Sequence, residues 1–230
     1  MIFAAILAGG IGTRLDAGVP KQFYKINNKP LLAYCIESFL KVDSLDKIIV
    51  SSPNDFLNDT QKLIYEYFDD ERLVVIKGGQ TRNYTILNSI NYAIENGADD
   101  DSVMVTHDGA RIFVSPKLIE DSIKYAHEFG AASPVIPSVD VIFQSKENNK
   151  LTKIPERKYL FNAQTPQSFN IKKYIEIYED LTEDEINLLD EAMMLFYLRD
   201  EEVYLFEGDS SNFKITRPFD ITVAKSILGD

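Results

Sequence analysis

The sequence predicts an α/β protein: a mostly parallel sheet with right-handed crossovers and helices on both faces. Short, unalternating apolar runs take turns with amphipathic stretches, and a glycine-rich turn follows the first of those runs. No internal repeat or linker divides the series, so residues 1–230 read as a single domain. A chain of this length buries enough surface to fold without disulfides or a structural metal.

Residues 2–7, 47–51, 73–77 and 102–106 are each short and apolar, the pattern of a strand buried on both faces. Between them Leu31, Leu32, Cys35, Ile36, Phe39 and Leu40 fall at helical spacing. So do Leu57, Leu63, Ile64, Tyr67 and Phe68, and then Ile86, Leu87, Ile90, Ala93 and Ile94. The rhythm changes after about residue 137. Residues 139–144 and 151–154 flank a polar turn at 146–150, a hairpin signal that predicts a β-arm over about 138–160 projecting from the sheet. Helices near 172–178 and 184–198, a strand at 203–206, a short one near 213–216 and a last helix from Pro218 complete the series.

Lys plus Arg number 24 against 36 Asp plus Glu, a net charge of −12, which argues against a nucleic-acid or anionic-membrane partner. A small basic pocket is still compatible with that surface. Acidic runs such as Asp99-Asp100-Asp101 and Glu183-Asp184-Glu185 read as solvated helix ends and loops. The single cysteine, Cys35, cannot form an internal disulfide, and no CxxC or HExxH motif occurs. The longest apolar run, residues 2–8, is far short of a membrane span and no basic segment precedes it, so the expectation is a soluble cytoplasmic protein.

The first strand runs into Leu7-Ala8-Gly9-Gly10-Ile11-Gly12-Thr13-Arg14-Leu15, followed by Pro20-Lys21-Gln22. A glycine turn there exposes backbone N–H groups at the carboxyl edge, where ligands bind. No GK[ST] follows, so it is not a Walker loop, and Leu15 stands where a dinucleotide fingerprint needs its third glycine. Arg14 and Lys21 suit a polyphosphate that gains charge during reaction, although both also fit as solvent-exposed loop charges. Further patches lie at strand ends and should converge on the same edge. Gly78-Gly79-Gln80-Thr81-Arg82-Asn83 offers amides and side chains for reading a base. Thr106-His107-Asp108-Gly109-Ala110-Arg111 brings Asp108, an oxygen ligand suited to Mg²⁺, and a histidine that reads as structural. Asn212-Phe213-Lys214-Ile215-Thr216 brings another cation.

LAGGIGTR with PKQF, then GGQTRN, THDGAR, NAQTPQSF and NFKITRPFDI, occur in an order that spans nearly the whole chain. Together they resemble the cytidylyltransferases that activate small polyol phosphates with CTP. The resemblance implies a Rossmann-like nucleotidyltransferase fold whose β-arm interlocks in a homodimer, and a need for Mg²⁺. It implies CTP held by Leu7, Ala8, Gly9, Gly10, Gly12, Gly79, Gln80, Thr81, Arg82, Asn83 and Thr85. By matching motif positions, Arg14 and Lys21 would stabilise the α-phosphate in the transition state, and Arg157 and Lys214 would position the polyol phosphate. Asp108 and Arg111 would complete the acceptor site, with Asp108 beside the metal. LAGG, GGQTRN, Thr106 and QTPQSFNI look like the enzymes that act on D-ribitol 5-phosphate, the first expectation for the acceptor. LLDEAMM and KITRP lean towards those that act on 2-C-methyl-D-erythritol 4-phosphate, the alternative. The chain departs from both at Val141, where threonine is usual, and at Ile112, where proline is usual. Two other classes compete: a nucleotide-linked oxidoreductase, revealed by bound NAD(P), and a nucleotide-sensing module, revealed by absence of pyrophosphate release.

Overall fold

The structure, a computed structural model, describes residues 1–9, 20–147 and 149–229. The chain begins with β1 (Ile2–Leu7), β2 (Lys25–Ile26), β3 (Lys29–Pro30), α1 (Leu31–Leu40), β4 (Lys47–Ser52), α2 (Leu57–Tyr67) and β5 (Leu73–Lys77). It continues through α3 (Arg82–Glu95), β6 (Val103–Asp108), α4 (Pro116–Phe129) and β7 (Ala131–Pro137). β8 (Phe161–Ala163), β9 (Gln167–Asn170), α5 (Ile171–Glu179), α6 (Glu183–Leu188), α7 (Ala192–Tyr197), β10 (Tyr204–Glu207) and α8 (Pro218–Leu228) follow.

The main sheet has the order β10-β7-β9-β6-β1-β4-β5, with β8 paired to β7. β1 lies parallel to β4 and β6, so Leu7 stands opposite Ser51 and Asp108. Residue parity sorts the core, because successive strand side chains point to opposite faces. Ala4, Ile6, Ile48, Val50, Val103 and Val105 pack with α1, α2 and α4. Phe3, Ala5, Ile49 and Met104 pack with α3, α5 and α7 on the other face. Helix ends carry ordinary signals. Ser115 caps α4 ahead of Pro116, and Gly130 closes it at φ +87°, a conformation that glycine adopts without strain.

The second half departs from the sequence reading. β7 and β9 have no apolar run to announce them, because Ser133, Gln167 and Ser168 are buried polar residues held by hydrogen bonds. Thr106 Oγ1 donates to the Gln167 carbonyl at 3.1 Å, and the Ser122 and Ser168 hydroxyls meet at 2.5 Å. β9 runs antiparallel to both β6 and β7. The expected hairpin of the arm reduces to one antiparallel bridge, Gln144 with Lys153, since no described residue covers Val139, Val141 or Phe143. The helix expected at 184–198 breaks at Leu189–Glu191, where the backbone turns extended. Residues 213–216 form no strand, although the Ile215 N–H donates to the Ala110 carbonyl at 2.9 Å. β5 is only half-buried because it is the sheet edge. Among the described residues no helix is long and apolar enough to cross a membrane.

Candidate active site

β1, β5 and β6 run in one direction, so the loops after Leu7, Lys77 and Asp108 emerge at one carboxyl edge. A cavity of about 310 Å³ opens between them. Leu7, Ala8 and Gly9 face it from one loop, and Gly79, Gln80, Thr81, Arg82 and Thr85 from another. Lys21, Asp108 and Lys214 face it as well.

The turn into α3 is held by its own hydroxyls. The Gly79 N–H donates to Thr85 Oγ1 at 3.0 Å, and that hydroxyl donates to the Thr81 carbonyl at 2.9 Å. Thr81 in turn caps the helix, its hydroxyl accepting from the Tyr84 N–H at 3.3 Å. A Cβ at Gly79 would lie 2.3 Å from the Tyr84 Cβ, so only glycine lets the turn close. The Thr85 hydroxyl is thereby committed to the turn, with one lone pair left for a ligand.

Asp108 forms the floor, with its side chain only 6% exposed. Arg82 Nη1 donates to its Oδ1 at 2.5 Å, while Lys214 Nζ stands 3.0 Å and Arg111 Nε 3.3 Å from its Oδ2. Burial alone would raise the carboxyl, but Arg82, Lys214 and Arg111 outweigh it and hold it well below the usual carboxylate range. Lys214 arrives on a loop anchored from beneath. Arg111 Nη1 donates to the Asn212 carbonyl at 2.9 Å, and Asn212 Nδ2 donates to the Thr165 carbonyl at 2.8 Å. Inside a chain of net charge −12, this edge gathers Arg82, Arg111 and Lys214 around one buried carboxylate, with Lys21 lining the same cavity, a local excess of positive charge suited to a polyanion.

His107 is fully buried and packs on Phe39, with ring centroids 5.2 Å apart. The Arg111 carbonyl, 3.0 Å from Nε2, can only accept, so in the neutral ring Nδ1 accepts from the Thr165 hydroxyl at 3.0 Å, and that hydroxyl accepts from the Asp108 N–H at 3.1 Å. The ring proton accordingly sits on Nε2, facing the Arg111 carbonyl. Burial pushes the imidazole down to about 4, so it is neutral at pH 7.

Other expected site residues stand apart. Asn83 is buried away from the cavity lining, its Oδ1 accepting from the Tyr174 hydroxyl at 3.2 Å. Arg111 backs the floor rather than lining the cavity. Arg157 opens a short 3₁₀ turn and donates to the Val139 carbonyl at 3.1 Å, away from this cavity. Gly10, Gly12 and Arg14 lie outside the described residues. Conversely, Gln22, Leu31, Gly109 and Ala110 line the cavity without a sequence signal that assigns them to it. Glu191 also stands near, with Oε2 3.5 Å from Arg82 Nη2, and burial raises its carboxyl despite Arg82. Glu191 lies in LLDEAMM, a stretch that entered the sequence reading only as a pointer to the acceptor and not as a site residue.

Mg²⁺ does not fit Asp108 as the site stands. Both carboxylate oxygens are engaged by cations, and among the described residues no three His, Cys, Asp or Glu side chains cluster as a metal site. Oxygen ligands for a divalent cation would have to come chiefly from phosphates.

Residues 2–230 match the family model described as IspD, 2-C-methyl-D-erythritol 4-phosphate cytidylyltransferase. Among solved structures, the chain is similar to 4-diphosphocytidyl-2C-methyl-D-erythritol synthase from Anaerococcus prevotii, with a TM-score of 0.82 and 26% identity over 100% of this chain and 99% of that one. The 2-C-methyl-D-erythritol 4-phosphate cytidylyltransferase of Francisella tularensis shares the fold at a TM-score of 0.82 and 24% identity, over 98% of each chain. That of Thermus thermophilus does so at 0.73 and 23%, over 100% of each.

Proposed function

Because the chain belongs to the 2-C-methyl-D-erythritol 4-phosphate cytidylyltransferase family, we propose that it transfers CMP from CTP to 2-C-methyl-D-erythritol 4-phosphate and releases pyrophosphate. The carrying observation is the family match along residues 2–230. It favours this acceptor over D-ribitol 5-phosphate, the first expectation from the motifs.

An oxygen of the acceptor phosphate attacks the α-phosphorus in line. The new P–O bond forms as the bond to pyrophosphate breaks, and pyrophosphate leaves with the electron pair. Two anions must meet, so catalysis is mostly positioning and charge neutralisation. Lys21 and Arg14 are assigned to the α-phosphate and Lys214 to the acceptor phosphate. The loops at Leu7–Gly9 and Gly79–Thr81 take the nucleotide. Arg82 and Arg111 hold Asp108 ionised, and Asp108 in turn holds Lys214 at the cavity. The acceptor phosphate is already largely ionised at pH 7, so neutral His107 is not needed as a base.

The test is pyrophosphate release from CTP with 2-C-methyl-D-erythritol 4-phosphate, D-ribitol 5-phosphate and glycerol phosphate in parallel. The first should give the highest kcat/KM. A higher value for either of the others overturns the acceptor assignment.

A further inference from the structure

We infer that Gln22 reads a substrate hydroxyl, a role that rests on the cytidylyl-transfer reading above. Gln22 directly follows Lys21 in the short helix Lys21–Phe23 and lines the cavity. It is 4% exposed, yet among the described residues neither Nε2 nor Oε1 has a hydrogen-bond partner. A buried amide stripped of water and given no partner is costly, and native proteins rarely keep one without a reason. At a cavity wall, that reason is a ligand atom that completes the bonding.

The chemistry of the amide selects the ligand group. Oε1 accepts and Nε2 donates, side by side. An ionised phosphate only accepts, so it would serve Nε2 and repel Oε1. A hydroxyl donates and accepts, and so serves both. Gln22 directly follows Lys21, the residue assigned above to the α-phosphate, so the ligand group sought is one close to the reacting phosphates. Hydroxyls flank the reacting phosphates on both substrates, in the ribose of CTP and in the polyol chain of the acceptor.

The experiment uses Gln22→Met, which keeps the side chain's length and removes both polar atoms. Melting temperature without substrate should stay level or rise, because no bond is lost. KM for one substrate should rise about tenfold. Wild type and variant are assayed with CTP, UTP, 2′-deoxy-CTP and 3′-deoxy-CTP, and with the acceptor and its 3-deoxy analogue. If the variant loses the wild-type preference for CTP over a deoxynucleotide, the hydroxyl is on the ribose. If it loses the preference for the full acceptor, the hydroxyl is on the polyol. Either result supports the assignment. A lowered melting temperature with unchanged KM values overturns it, as do unchanged preference ratios or a change confined to CTP over UTP. Wild-type inactivity towards every acceptor would sink the acceptor assignment instead. Binding of CTP and its deoxy analogues to both proteins would then decide Gln22.

Discussion

Asp108 and His107 are neighbours in sequence with opposite surroundings, because successive residues of β6 point to opposite faces. Asp108 meets three cations at the cavity, while His107 meets Phe39 and a neutral hydrogen-bond network. That burial has a measurable consequence. The folded imidazole takes a proton only at about 4, whereas its ordinary value is 6.5. Between those values the unfolded chain binds more protons, so stability rises with pH across that window. His107 thus contributes stability that is complete above pH 6.5 and fades towards pH 4, by up to about 3 kcal/mol. Glu191, raised by burial, has the opposite sign over an overlapping range, so the measurement is a difference between proteins. The stability of wild type minus that of His107→Gln, from denaturant unfolding, should shrink by about 3 kcal/mol from pH 7 to pH 4. A flat difference would show that the buried ring is not held neutral.

At the scale of elements, the entry to α3 and the end of β1 both carry glycine for different reasons. A Cβ at Gly79 would run into the backbone and Cβ of Tyr84, in the first turn of α3. A Cβ at Gly9 would meet nothing within 4 Å among the described residues. Gly79→Ala should therefore cost about 2 kcal/mol or more in thermal or denaturant unfolding. Gly9→Ala should stay within about 0.5 kcal/mol of wild type. Equal stabilities would mean that the turn at Gly79 is not close-packed. The same contrast governs what could be read from sequence. The first strands are legible because they are apolar on both faces, but β7 and β9 bury Ser133, Gln167 and Ser168 against specific partners. A hydropathy pattern cannot report those partners.

At the scale of the whole molecule, the arm is the feature that one chain leaves incomplete. Val139, Phe143 and Ile154 are 80%, 65% and 55% exposed, and Arg157 donates to the arm's own Val139 carbonyl. Two arms pairing about a twofold axis would cover these side chains, and a crossed arm would bring Arg157 to the acceptor phosphate of the neighbouring subunit. Subunit complementation tests this. Lys21→Ala alone should lower kcat by about 10²-fold or more, and Arg157→Ala alone should be nearly inactive. In a random mixture half the dimers are mixed and each holds one intact site of two, so about a quarter of wild-type activity returns. No recovery despite proven subunit exchange would place Arg157 in its own subunit or outside the reaction.

The sequence by itself determined the parallel α/β core and the glycine edge, and it singled out Lys21, Asp108 and Lys214, which line the cavity. Each of these rests on local pattern: burial period, turn chemistry, and motifs of adjacent residues. Tertiary structure alone decided which charges meet. Arg82 and Lys214 lie far from Asp108 along the chain, yet both close on it, because the segments after different strands open at one sheet edge. It also decided that β9 runs antiparallel between β6 and β7, and that Gln22 is buried without a partner among the described residues. Long-range pairing and the satisfaction of buried polar atoms are properties of the packed chain, and no window of sequence contains both partners.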